Sequence, residues 1–116
     1  MYQEVDSNAV FAFKRNGTKV EIYCSDIVFF ESYGHYITIH MKDKSTYIMR
    51  GTLHAIDREL NGKGFVRIHR GFTVNLSYVK KIERTSVFLD SEWGSVPVSR
   101  SRKESLIAIL REYGEI

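Results

Sequence analysis

The sequence predicts a mainly β fold with two short helices, folded as a single domain over residues 1–116. Three observations lead there. Apolar and polar residues alternate with period two through most of the short segments, the pattern of half-buried strands. Turn formers such as Asn16-Gly17 and Ser91-Glu92-Trp93-Gly94 separate those segments. Only two stretches carry apolar residues at three- and four-residue spacing. A chain of 116 residues has the size of one domain, and 43% hydrophobic residues with a single proline fit a folded module rather than a disordered tail.

The elements follow in order. Residues 9–14 alternate, Asn16-Gly17 gives a tight turn, and residues 19–23 return as the second arm of a β-hairpin. Ser25-Asp26 punctuates the chain before residues 27–32, an apolar strand suited to burial. Tyr33-Gly34-His35 interrupts it, residues 36–41 resume strict alternation, and Asp43-Lys44-Ser45 turns into a strand at 46–50. A helix fits 53–60, with Thr52 as N-cap, Leu53, Ile56 and Leu60 on one face, and Asn61-Gly62 as the stop. At about two turns it needs tertiary packing to persist. Strands are expected at 65–69, 72–75, 79–84, 87–90 and 95–98, and a second helix at 101–113 with Leu106, Ile109 and Leu110 on one face. The chain shows no internal repeat, linker or low-complexity segment.

Charge is distributed unevenly. Residues 61–103 carry nine Lys or Arg against three acids, while the rest has eight basic and eleven acidic residues, so the net +3 conceals a basic segment of +6. Within it, Phe65-Val66-Arg67-Ile68-His69-Arg70-Gly71-Phe72-Thr73-Val74-Asn75 and Val96-Pro97-Val98-Ser99-Arg100-Ser101-Arg102-Lys103 alternate apolar residues with cations. One face of each is expected to enter a core while the other presents guanidinium groups to a polyanion, the electrostatic footprint of a nucleic-acid partner.

Other classes of function find no support. Four histidines (His35, His40, His54, His69) and one cysteine form no HExxH or CxxC pair, so no metal site is expected. Neither a phosphate-binding lysine loop, nor a GxGxxG sequence, nor a GxSxG elbow occurs, and the carboxylates are scattered. The expectation is therefore a protein without cofactor or enzymatic activity. No apolar run approaches the roughly 18 residues of a membrane span, and the acidic start at residues 1–6 lacks the apolar core of a secretory signal. Cys24 alone cannot form an internal disulfide, which fits a reducing cytoplasm.

If the partner is duplex DNA, side chains at loop tips are the best base readers, because a loop enters a groove that a sheet face cannot. His35, Arg70 and Arg100 occupy such positions. Ser99, Ser101 and the amides opening the last helix are placed to meet a phosphate, with Arg102 and Lys103 adding charge. Asn75 reads as a turn former, His69 as an inward polar residue with its hydrogen bond made, and Trp93 as a cover over a sheet edge. Two rivals stay open: a single-stranded nucleic-acid binder stacking bases on Tyr33, Tyr36 or Trp93, and a protein-interaction module that pairs an edge strand or docks an acidic partner.

Four segments, Asp26-Ile27-Val28-Phe29-Phe30-Glu31, Phe65 through Arg70, Val74-Asn75, and Val96-Pro97-Val98-Ser99-Arg100, stand in an order and spacing that resemble the LytTR-type DNA-binding domain. That domain is the output module of many bacterial response regulators, and the resemblance runs over about residues 20–110. It implies an elongated, mainly antiparallel β fold of small sheets whose loops, rather than a recognition helix, enter successive major grooves. It places His35, Arg70 and Arg100 in three DNA-contacting loops, with His35 and Arg100 as the principal base readers, and Ser101 and Lys103 near phosphates. Where the family often has a small hydroxyl residue after the His-Arg pair this chain has Gly71, which leaves only a backbone amide for phosphate. The implied partner is double-stranded DNA, in a cytoplasmic transcriptional regulator of a two-component system, with no membrane involved. Dimers on repeated sites and a monomeric isolated module are both compatible with it. No receiver domain precedes the module, so an excised fragment and a stand-alone regulator are both open.

Overall fold

A computed structural model describes residue 6, residues 8–90 and residues 92–112. The acidic start at 1–5, Ser91 and the expected helix end at 113 lie outside the described residues.

The strands expected from alternation form three antiparallel sheets. β1 (Val10–Arg15) and β2 (Thr18–Tyr23) make a two-stranded hairpin across Asn16-Gly17, both residues at positive φ as a tight hairpin turn requires. β3 (Ile27–Tyr33), β4 (Tyr36–Met41), β5 (Thr46–Arg50), β6 (Phe65–His69) and β7 (Phe72–Asn75) form a five-stranded sheet in the order β5-β4-β3-β7-β6. β8 (Lys81–Ile82), β9 (Ser86–Phe88) and β10 (Ser95–Pro97) form a small third sheet. α1 (Leu53–Glu59) connects β5 to β6, and α2 (Arg100–Glu112) closes the described chain. The molecule measures 42 × 30 × 27 Å.

Two cores lie on opposite faces of the five-stranded sheet. On one, Phe11, Phe13 and Ile22 of the hairpin and Leu53, Ile56 and Leu60 of the α1 segment pack against Phe30, Ile37 and Ile39. On the other, Val87 and Val96 of the third sheet and Leu106 and Leu110 of α2 cover Val28, Phe29, Ile68 and Val74. Strict alternation would send Phe29 and Ile27 to the same face. The β3–β4 register instead shifts between Ile27 and Phe29, so Val28 and Phe29 both enter the second core and Phe30 the first. A bulge of this kind lets a short apolar strand serve two cores.

Capping of α1 is as expected: Thr52 Oγ1 accepts from Ala55 N at 3.2 Å, and Leu60 closes the last turn by donating to the Ile56 carbonyl. Three boundaries move. The strand expected at 79–84 is regular only at Lys81–Ile82, because Leu76-Ser77-Tyr78 winds into a 3-10 turn. The following strand is Ser86–Phe88, and α2 begins one residue earlier than expected, at Arg100. Asn75 does more than turn the chain. It is fully buried, its Nδ2 donates to the Ile27 carbonyl at 2.9 Å, and its Oδ1 accepts from Ser77 N at 2.9 Å. Trp93 is half-buried, edge-on to Phe29 and His40, and Lys44 lies over its ring. Cys24 is buried in the first core, and burial pushes its thiol pKa up.

Candidate nucleic-acid interface

Backbone hydrogen bonds bring the three expected loops to one end of the large sheet. β3 and β4 turn over at Gly34-His35, where Tyr33 pairs with Tyr36 and Gly34 takes a φ of +61°, a left-handed conformation that suits glycine. β6 and β7 turn at Arg70-Gly71, where His69 pairs with Phe72. Since β3 runs antiparallel beside β7, with Glu31 opposite Phe72, both turns lie at the same sheet end, and Ser32 N donates to the Gly71 carbonyl at 2.9 Å. On the far side of β6, Ser99 N donates to the Ile68 carbonyl at 2.8 Å and fixes the entry to α2. The order along this end is therefore His35, Arg70, Arg100. Strand spacing of about 4.8 Å puts the two hairpin tips about 10 Å apart.

Ion pairing divides the basic segment into two populations. Arg67 pairs with Asp57 at 2.7 Å, Lys80 with Asp90 at 3.2 Å and Lys81 with Glu83 at 2.8 Å. Among the described residues, Lys63, Arg70, Arg84, Arg100, Arg102 and Lys103 have no acidic partner within ion-pair distance. Most of these unpaired cations belong to the β6–β7 turn, the β8–β9 turn and the first turn of α2. Positive charge is thus concentrated on loops and neutralised on the flanking strands, which focuses the potential where an anionic polymer would touch.

The expected residues can be placed one by one. His35, Arg70 and Arg100 are exposed at the three tips. Ser101 and Arg102 are exposed in the first turn of α2. Lys103 is half-exposed, and its ammonium donates to the Arg84 carbonyl at 3.2 Å, which ties the β8–β9 turn to the helix. The Gly71 amide, expected at phosphate, donates to His69 Nδ1 at 3.0 Å. Ser99 caps α2 through its carbonyl, which accepts from Arg102 N and Lys103 N, while its hydroxyl is buried without a partner among the described residues.

One expectation is corrected. Arg67 does not present its guanidinium outward, because Val66 and Ile68 face the second core and the alternation turns Arg67 toward α1. There it is only 19% exposed, against Asp57. Asp57 itself, one carboxylate among several in the sequence, carried no signal that it would reach a strand ten residues away. One open cleft of about 290 Å³, lined by Glu21, Asp26, Lys42 and Asp43, sits beside β2 and has mixed charge, and another of about 290 Å³ lies between Asp57, Arg67 and Arg102. Among the described residues no group of three His, Cys, Asp or Glu is arranged to hold a metal, and no helix is long and apolar enough to cross a membrane.

Comparison with known proteins finds a matching family model, curated relatives and a solved structure. The sequence model of the LytTr DNA-binding domain family matches residues 7–111. The heme-containing CO-sensing transcriptional regulator RcoM 2 of Paraburkholderia xenovorans is 36% identical over 101 residues, which cover 83% of this chain and 38% of that protein. The sensory transduction protein LytT of Bacillus subtilis is 29% identical over 89 residues, 73% of this chain and 36% of that protein. A solved LytTr DNA-binding domain from Bacillus cereus superposes with a TM-score of 0.68 over 92% of this chain and 98% of that one, at 21% identity, and shows the same fold. The chain spans little more than a third of the length of these curated relatives.

Proposed function

From the premise that this chain belongs to the LytTR DNA-binding domain family, we propose that it reads specific sequences in double-stranded DNA through its three loops, as the output module of a bacterial transcriptional regulator. The observation that carries the reading is the row His35, Arg70, Arg100: three exposed side chains on backbone-anchored loops, the two arginines without acidic partners among the described residues. A polar tip on a fixed loop can enter a major groove and meet base edges, and an arginine can bond guanine O6 and N7 together. Arg102, Ser101 and Lys103, beside the opening of α2, supply phosphate contacts that fix register and carry the salt dependence. Gly71 serves chiefly as an anchor of its turn, since a phosphate reaches its amide only in competition with His69. The regulator acts in the cytoplasm without a cofactor in this domain, and dimers form on repeated sites.

Selection of bound sequences from a random double-stranded pool at near-physiological salt tests the reading. The expected outcome is an enriched motif, with His35→Ala, Arg70→Ala and Arg100→Ala each flattening preference at a different base position. Binding without enrichment, or preference for single strands in competition, would overturn it.

A further inference from the structure

The β6–β7 turn that presents Arg70 is held by a second arginine pointing the other way. Arg67 leaves β6 toward α1 and uses three nitrogens at once: Nε donates to the His69 carbonyl at 2.7 Å, Nη2 to the Arg70 carbonyl at 2.8 Å, and Nη1 to Asp57 Oδ2 at 2.7 Å. The two carbonyls belong to the peptide groups on either side of Arg70. Both peptide planes flanking that residue are therefore pinned by one planar, rigid fork, a geometry an ammonium cannot reproduce. Asp57 in turn spends its other oxygen on Thr73 Oγ1, at 2.7 Å, and Thr73 is fully buried on β7. The carboxylate thus fixes the guanidinium with respect to both strands of the hairpin. Beyond the fork, Gly71 N donates to His69 Nδ1 and the Gly71 carbonyl accepts from Ser32, so the turn is also tied to β3.

We propose that Asp57 and Arg67 are positioning residues for sequence readout: they fix the point and direction from which Arg70 is launched, and so set base preference without touching DNA. The inference rests on the reading that Arg70 contacts a base. Geometry within a few tenths of an ångström decides whether a bidentate contact forms, and side chains held by a supporting shell lose less entropy on binding than those on a loose turn. The placement of the pair fits this role better than a role in stability alone. Arg67 and Asp57 are largely buried, at 19% and 28% exposed, yet two of the three bonds of Arg67 go to the reading turn itself rather than to the core around it.

Arg67→Lys and Asp57→Asn keep volume close to native, and Asp57→Asn can still accept from Thr73. On the selected DNA motif each is expected to lose about five-fold or more in affinity while binding to random duplex stays within about two-fold, a loss within the span set by one bidentate base contact. The lost preference should fall at the base position that Arg70→Ala flattens, and Arg67→Lys added to Arg70→Ala should have little further effect. Without DNA, hydrogen exchange at the Gly71 amide should quicken in Arg67→Lys while exchange in β4 and β5 is unchanged. Parallel loss on specific and random duplexes, or flattening at a position unrelated to Arg70, would overturn the proposal. If the wild-type chain selects no motif, the reading of function fails instead, and the exchange measurement still decides the clamp: unchanged Gly71 protection in Arg67→Lys refutes it.

Discussion

Two cations near the start of α2 differ in what they have left to offer. Arg100 is exposed at the first helical position with no acidic partner among the described residues, whereas Lys103 already gives one of its three protons to the Arg84 carbonyl. Arg100→Ala is expected to cost about 1–3 kcal/mol on the selected motif and to flatten preference at one base position. Lys103→Ala should weaken all duplexes alike and lower the salt slope by about one unit, as titrations at several salt concentrations will show. Asn75 makes the opposite kind of contribution, since its amide joins the start of β3 to the turn after β7 inside the protein. Asn75→Ala leaves the Ile27 carbonyl and the Ser77 amide without this partner, and a loss of about 1–3 kcal/mol in denaturant unfolding is expected. The sequence showed the tip residues because a histidine or arginine beside a turn needs no partner to be noticed. It did not show the Ile27 end of the Asn75 bridge, which spans 48 residues and depends on how two strands pair.

At the scale of elements, period two located the strands and three- and four-residue spacing located the helices, because each pattern follows from which face is buried. Bulges escaped it. The shifts at Ile27/Phe29 and at Arg67/His69 come from one extra residue against a partner strand, information held in the pairing rather than in either segment. Arg67 escapes it for another reason: the strand alternates regularly through it, but α1 covers the face that alternation would leave open, so its guanidinium meets Asp57 rather than solvent. The shortest helix shows how an element gains a task beyond packing. α1 has only seven residues, buries Leu53 and Ile56, and carries Asp57 beside them toward the β6–β7 hairpin. Thr52→Ala removes its side-chain cap and should lower stability by about 1 kcal/mol, read as a lower midpoint in thermal or denaturant melts. If α1 serves only to cover the core, DNA preference in that variant will be native; a softened preference at the Arg70 base position would show that the helix end also steadies the clamp.

Across the whole molecule, the internal asymmetry of charge matters more than its sum. A net +3 is unremarkable for 116 residues, and the basic segment of +6 is legible from the sequence, but which of its cations are available is not. The acids that neutralise Lys80 and Arg67 lie ten residues away, across a turn in one case and on a helix in the other. Folding thus pairs charge on the strands of the small sheet and beside α1, and leaves it unpaired on the turns. This division gives a test that residue counting alone would fail. Each phosphate contact adds about 0.9 to the slope of log affinity against log salt, while a cation already paired with a carboxylate has little counterion to release. Lys80→Gln and Lys81→Gln should therefore leave the slope nearly unchanged, although each removes the same formal charge as Arg102→Gln. Arg102→Gln should reduce it by about one unit. Equal effects from all three substitutions would mean that DNA responds to net charge alone and that the row of loops does not define the contact surface. A reduction confined to Arg102 would place the phosphates along the opening of α2, next to Arg100 and one backbone bond from the strand that carries Arg67.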